Sequence, residues 1–162
     1  MPGLCYTTHK EARNLTMRIY LDNCCFNRPY DDQTNITNSL ETQAKLAIQE
    51  LIKLDKYELC VSAALYHEVD ASPYVSQSDI IRDFILDNSS YYIGEEMKDA
   101  VEALASKIME AGIKYYDACH VASAILAGCE YFITVDKRLL KYNSDRIKMR
   151  NPVDFISETG VE

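Results

Sequence analysis

Tyr115-Tyr116-Asp117-Ala118-Cys119-His120-Val121-Ala122-Ser123-Ala124-Ile125-Leu126-Ala127-Gly128, running on into Cys129-Glu130-Tyr131-Phe132-Ile133-Thr134-Val135-Asp136, decides how the chain is read. The first part predicts a helix that is apolar over most of its surface. Ala118, Val121, Ala122, Ile125 and Leu126 fall on one broad stripe. Gly128 sits where a left-handed cap would end that helix. Tyr131 to Val135 is a short aromatic and β-branched run, the pattern of a buried strand. A helix and a strand joined this closely form the return half of a βαβ unit. Two carboxylates frame the pair: Asp117 near the helix start and Asp136 just past the strand. Each has an ordinary reading as well. Asp117 complements the helix dipole, and Asp136 caps a following helix, residues 136–142.

A strand of the same kind stands near the other end of the chain. Arg18-Ile19-Tyr20-Leu21 is followed directly by Asp22. Ligands of parallel α/β sheets bind outside the carboxyl ends of the strands, so acids at two strand ends and a helix start can meet at one sheet edge. Between them, residues 23–37 read as a loop, with Asn27-Arg28-Pro29 and Asp31-Asp32 as turn formers. From about Asn38 to Asp55, Leu40, Ala44, Ala47, Ile48, Leu51, Ile52 and Leu54 repeat at helical spacing. Glu58 to Val61 predicts a second strand, and Ser62 an N-cap for a helix over 63–70 that carries Glu68. Ile80, Ile81, Phe84 and Ile85 indicate another helix, ending near residues 87–89. Tyr91-Tyr92-Ile93 fits either a short strand or a connection. An amphipathic helix over 95–111 is capped by Gly112. A strand over 146–149 and a turn over 152–156 close the chain. The order β-α-β-α-α-α-α-β-α-β predicts a parallel sheet with helices on both faces, in one domain. Residues 1–16 carry no periodicity and Met17 directly precedes the first strand. Residues 1–16 are therefore expected to be a loosely attached extension, and 17–162 the domain.

Composition narrows the function classes. With 162 residues, 48% of them hydrophobic, the chain can bury a real core and is not mainly disordered. Its longest apolar run, 121–135, is interrupted by Gly128 and Glu130 and is too short to span a bilayer. The N-terminus shows no apolar signal segment, so a cytoplasmic location is expected. The six cysteines match no zinc pattern and are expected to be reduced. A formal net charge of -8 argues against nucleic-acid binding over a wide basic face. Lys137, Arg138, Lys141, Arg146, Lys148 and Arg150 nevertheless cluster near the C-terminus, either to guide a polyanion or as a solvated face. Ser-His-Asp spacing and a Gly-rich phosphate loop are both missing. The remaining chemistry lies in carboxylates far apart in sequence. Brought together they raise each other's pKa, and a hard divalent cation with oxygen ligands, Mg²⁺ or Mn²⁺, relieves that cost.

Tyr20-Leu21-Asp22-Asn23, then Glu68, then Asp117-Ala118-Cys119-His120-Val121-Ala122-Ser123-Ala124, then Phe132-Ile133-Thr134-Val135-Asp136, resembles the PIN domain family over roughly residues 17–152. The resemblance implies a three-layer α/β/α fold with a central parallel sheet of four or five strands. It also implies a Mg²⁺- or Mn²⁺-dependent endoribonuclease acting on RNA phosphodiester bonds, of the kind found as the toxin of a toxin–antitoxin pair. Asp22 and Asp117 match the principal metal-binding acids, Glu68 the helix-borne glutamate and Asp136 the last acid. Thr134 and Asn23 match positions that hydrogen-bond around them. Where many members have a small hydroxyl residue after the first acid, this chain has Asn23-Cys24-Cys25. A small antitoxin and a second copy of the chain are implied partners, with no membrane. Arg28, Lys137 and Arg138 are candidates for holding phosphate, and Arg28 fits an ion pair with Asp31 or Asp32 equally. His120 is read as a packed or hydrogen-bonded histidine rather than a ligand, and His67 as pointing to another helix face. Two rival readings stand beside the nuclease: a PIN-like scaffold without turnover, and a phosphotransfer domain with Asp22 as acceptor. The second lacks a lysine at a later strand end.

Overall fold

The computed structural model describes residues 16–160. Five strands form one fully parallel sheet: β1 (Met17–Leu21), β2 (Tyr57–Ser62), β3 (Ser89–Ile93), β4 (Tyr131–Ile133) and β5 (Lys148–Arg150). Eight helices flank it in three layers: α1 (Asn23–Asn27), α2 (Ile36–Lys53), α3 (Ala63–Asp70), α4 (Val75–Asn88), α5 (Lys98–Met109), α6 (Tyr115–Leu126), α7 (Lys137–Leu140) and α8 (Pro152–Thr159). The strand order is β3-β2-β1-β4-β5. The chain therefore builds outward from β1 to β3, then crosses back to lay β4 on the other side of β1. That reversal places the topological switch between β1 and β4, where parallel sheets leave a crevice at the strands' carboxyl ends.

The strands form because they are buried. Ile19, Tyr20 and Leu21 are fully covered, as are Leu59, Cys60, Phe132 and Ile133. Near-continuous apolar runs are the mark of a sheet covered on both faces. The Tyr20 and Phe132 rings stack at 5.2 Å across the β1–β4 pair. Phe155 of α8 packs against Tyr57 and Tyr131 at 5.2 and 5.0 Å. Gly112, Gly128 and Gly160 all have positive φ, and the first two are the predicted helix ends. Among the described residues no helix is long and apolar enough to cross a membrane, and the five cysteines there are free. The extension expected over 1–16 lies, but for Thr16, outside the described residues.

One alternative is settled and two expectations change. Of the two readings of Tyr91-Tyr92-Ile93 the strand holds: it lies in β3, paired along β2. The predicted loop 23–37 is a short helix followed by a 3₁₀ turn, Arg28–Tyr30. The buried face of α2 also differs in its first turns, where Glu41, Thr42 and Lys45 are covered while Leu40 is half exposed. Glu41 and Lys45 face the segment after Asp22. Glu41 Oε1 lies 3.6 Å from Arg28 and Lys45 Nζ lies 5.4 Å from the Phe26 ring.

Burial pulls the Lys45 ammonium down to about 8. Its folded pKa is thus below the unfolded value of about 10.4, so the charged form weakens the fold below about pH 8 and that cost fades as pH rises towards 10. Lys45→Met is expected to raise the melting temperature at pH 7 and to gain less over wild type at pH 10, as read by thermal melting of both proteins at each pH.

Candidate metal centre

Asp22 follows β1 because β1 ends there: its backbone N–H donates to Ile133 O at 2.9 Å, the last rung between β1 and β4. The side chain then turns under the sheet edge, 6% exposed. Oδ1 accepts from the Asn23 backbone N–H at 2.8 Å. Oδ2 accepts from Thr134 Oγ1 at 2.8 Å and from the Cys24 thiol at 3.3 Å. Thr134 is fully buried, and its Oγ1 also accepts from the Asp136 N–H at 3.0 Å. One hydroxyl thus ties the acid after β1 to the backbone of the acid after β4. Within the Asn23-Cys24-Cys25 stretch, where this chain departs from the family's small hydroxyl residue, it is the Cys24 thiol that donates to Asp22.

Glu68 comes from α3, whose N-cap Ser62 accepts from Leu65 N–H at 3.1 Å, as predicted. Its carboxylate reaches the same site and meets His120 of α6. Nε2 of His120 lies 2.7 Å from Glu68 Oε2, and Nδ1 lies 2.7 Å from the Tyr20 hydroxyl, which is 2.6 Å from Ser62 Oγ. Tyr20 is fully buried and His120 is 2% exposed. The relay is satisfied in either protonation state of the imidazole. With a neutral ring, Ser62 donates to Tyr20 and Tyr20 to Nδ1. With a charged ring, Nδ1–H donates to Tyr20 and Tyr20 to Ser62. In both, Nε2–H donates to Glu68, so His120 positions that glutamate.

The charges agree with this geometry. Burial pushes the Asp22 carboxyl up and Glu68 adds to the shift, while His120, Thr134 and Cys24 pull it back. Asp117, half-buried in the first turn of α6, is raised by burial and then by the charges of Asp22, Asp136 and Glu68, against His120. Glu68 is held low, chiefly by its hydrogen bond to His120. Burial opposes the His120 charge, but the bond to Glu68 and the charges of Asp22, Glu68 and Asp117 hold its pKa above the ordinary value. Asp22, Asp136 and Glu68 thus all bear on Asp117, and Glu68 bears on Asp22 as well. Asp136 also does what its ordinary reading required, capping α7 by accepting from Arg138 N–H at 2.8 Å.

Carboxylate oxygens of Asp22 and Glu68 lie within 4.8 Å of each other and of a His120 ring nitrogen; both His120 nitrogens are engaged, by Glu68 and Tyr20, so the two carboxylates are the ligands on offer. The Oδ1 of Asn23, 8% exposed, has no partner among the described residues. An oxygen-rich set in which burial and the Glu68 charge push the Asp22 carboxyl up fits a hard divalent cation. Arg28 is committed to acids, to Asp31 at 2.8 Å and Glu41 at 3.6 Å. Lys137 and Arg138 are exposed, with no ion pair among the described residues. His67 points elsewhere, into a cleft with Tyr115 and Tyr116. Sequence reasoning missed Tyr20 and Cys24 as parts of the centre. Tyr20 read as one more apolar strand residue, and only its place opposite Ser62 gives it a polar task.

A doubly covered parallel sheet with carboxylates gathered at its β1–β4 switch defines an α/β domain built around an acidic centre. The PIN domain family model matches residues 19–144, and the chain belongs to that family. A chain of VapBC2 from Rickettsia felis, solved bound to a DNA fragment from its promoter, superposes with a TM-score of 0.52 at 15% identity, covering 83% of this chain and 98% of that one. FitAcB from Neisseria gonorrhoeae gives 0.48 at 15% identity, over 83% and 97%. The first of these likenesses is one of fold. Among curated proteins nothing matches significantly.

Because Asp117 carries an ionic form that its surroundings oppose, Asp117→Asn is expected to raise the melting temperature of the metal-free protein at pH 7. The rise is of the order of 2–4 °C, the effect of about 1 kcal/mol in a chain of this size. The same change removes most of the Mn²⁺-induced gain in wild-type stability. Differential scanning calorimetry with EDTA and with Mn²⁺ reads both.

Proposed function

We propose that the chain is a divalent-metal-dependent endoribonuclease, using Mg²⁺ or Mn²⁺, and the toxin of a toxin–antitoxin pair. The observation that carries the reading is that carboxylate oxygens of Asp22 and Glu68 and a ring nitrogen of His120 lie within 4.8 Å of one another, with Asp117 shifted by the charges of Asp22, Asp136 and Glu68. A scaffold gains nothing from an acid cluster that resists its own ionisation. In this reading Asp22, Glu68, Asp117 and Asp136 hold the cation. The ion supplies Lewis-acid polarisation of a phosphoryl oxygen and lowers the pKa of water. Thr134 and Cys24 fix the Asp22 carboxylate so that one oxygen stays oriented, and His120 does the same for Glu68. Lys137 and Arg138, exposed beside Asp136, attract the RNA backbone locally on an otherwise acidic chain.

Incubation of single-stranded RNA with Mn²⁺ tests the activity. Cleavage is expected to be blocked by EDTA and reduced at least on the order of a hundredfold in Asp22→Asn, since the variant loses charge at the centre. Equal cleavage by wild type and variant would assign the activity to a contaminant and sink the reading. The pairing is supported by the fold likeness to VapBC2 and by the resemblance to toxin members of the family. A small protein encoded beside this chain is expected to co-purify with it and suppress cleavage. A second copy of the chain is the other partner we propose.

A further inference from the structure

Ser62, Tyr20, His120 and Glu68 form one chain of hydrogen bonds that ends at the acidic centre, and its first three members are 1%, 0% and 2% exposed. Counting hydrogens gives the chain a direction. Ser62 Oγ already accepts from the Leu65 N–H at 3.1 Å, so its own hydrogen needs an acceptor. Among the described residues that acceptor is the Tyr20 oxygen at 2.6 Å. The Tyr20 hydrogen then goes to His120 Nδ1 at 2.7 Å, and the ring carries its hydrogen on Nε2, facing Glu68 Oε2 at 2.7 Å. Reversed, the chain leaves the Ser62 hydrogen buried with no acceptor among the described residues, which is costly. Two neighbouring ligands of one divalent ion, at bond lengths of about 2.0–2.2 Å and near a right angle, stand roughly 2.9 Å apart. Nε2 and Oε2 have close to that spacing, and a ring nitrogen lies within 4.8 Å of an Asp22 carboxylate oxygen. His120 thus stands where a third ligand belongs, and the hydrogen on Nε2 is what bars it, because that nitrogen has no lone pair to give.

We propose that Tyr20 sets the metal preference of the centre: by donating to Nδ1 it keeps the hydrogen on Nε2, withholds His120 from the ion and leaves an all-oxygen set for a hard cation. Tyr20 is a positioning residue, since it acts through His120. The group behind a histidine fixes which nitrogen faces a metal, and here it turns the imidazole away from ligation rather than towards it. Removing the hydroxyl takes the donor away from Nδ1. The ring hydrogen then moves to Nδ1 when an ion arrives, and Nε2 joins Asp22 and Glu68 as a ligand. Imidazole added to carboxylates favours Zn²⁺ over Mn²⁺. This inference rests on the metal-centre reading above, and the test separates the two.

The full chain, freed of metal, is titrated with Mn²⁺ and with Zn²⁺ by isothermal titration calorimetry as wild type, Tyr20→Phe, Ser62→Ala and the double variant Tyr20→Phe/His120→Gln. Tyr20→Phe is expected to shift the ratio of the two dissociation constants at least on the order of tenfold towards Zn²⁺. Adding His120→Gln is expected to abolish that shift. Ser62→Ala removes the N-cap of α3 but leaves the Tyr20 hydroxyl free to donate to Nδ1. It is expected to lower the melting temperature and keep the wild-type ratio, which separates positioning from lost stability. Pulsed EPR of bound Mn²⁺ gives a second readout. Coupling to a directly bound nitrogen is expected in Tyr20→Phe and not in wild type, and the wild-type spectrum tests the proposal even if Tyr20→Phe does not fold. A wild-type ratio in Tyr20→Phe, an equal shift in Ser62→Ala, or directly bound nitrogen in wild type overturns the proposal. If wild type takes up neither ion, the metal centre falls and the proposal with it. Mn²⁺ uptake with an unchanged preference in Tyr20→Phe sinks the role of Tyr20 and leaves the centre standing.

Discussion

Mutual repulsion among carboxylates at one sheet edge is the constraint the rest of the structure answers. Asp22 is buried and Asp117 half-buried; burial makes both harder to ionise, the Glu68 charge adds to it at Asp22, and the charges of Asp22, Asp136 and Glu68 add to it at Asp117. A fold that brings such groups together loses stability unless something offsets the charge. Here the offsets are built in at graded distance. Thr134 and Cys24 donate to Asp22 directly. His120, wedged between Tyr20 and Glu68, supplies a proton-bearing nitrogen and a pKa that favours positive charge. The oxygens left over suit a divalent cation. The sheet topology exists, in this sense, to hold acids where they would not otherwise stay.

The helix and strand around residues 115–136 were legible because burial on all sides leaves a distinctive pattern. Ala118 to Ile125 is covered throughout, and such a run permits few alternatives. Ser62, Gly112 and Gly128 were legible too, since capping and left-handed geometry restrict residue choice. The four acids stood out only in combination, because each also had a structural use, and Asp136 serves that use as well. Their convergence could be expected from strand ends but not measured. Resemblance to the family, rather than periodicity, supplied Glu68.

What stayed hidden depends on tertiary pairing. The segment after Asp22 carries turn formers and so read as a loop, yet Asp22 caps a short helix there and Arg28 ties the following turn to Glu41. That pairing changes the buried face over the first turns of α2, drawing Glu41 and Lys45 inward where periodicity favoured Leu40, while Ile48 and Ile52 stay buried as expected. Tyr20 shows the same limit from another side. Its strand position fixed its burial, but its hydroxyl gains a role only because Ser62 on β2 and His120 on α6 arrive at the same point.

The order β3-β2-β1-β4-β5 has a bearing on how the molecule comes into being. One wall of the acidic centre is made at residue 22, the opposite wall only after residue 130, and the rung that locks Thr134 runs to Arg150 on β5. A growing polypeptide holding every residue up to the end of α6 would still carry Asp22 without Thr134 or Asp136 beside it. The centre is complete only once β4 and β5 have joined β1, so its two walls, far apart along the chain, depend on the longest-range pairing in the sheet.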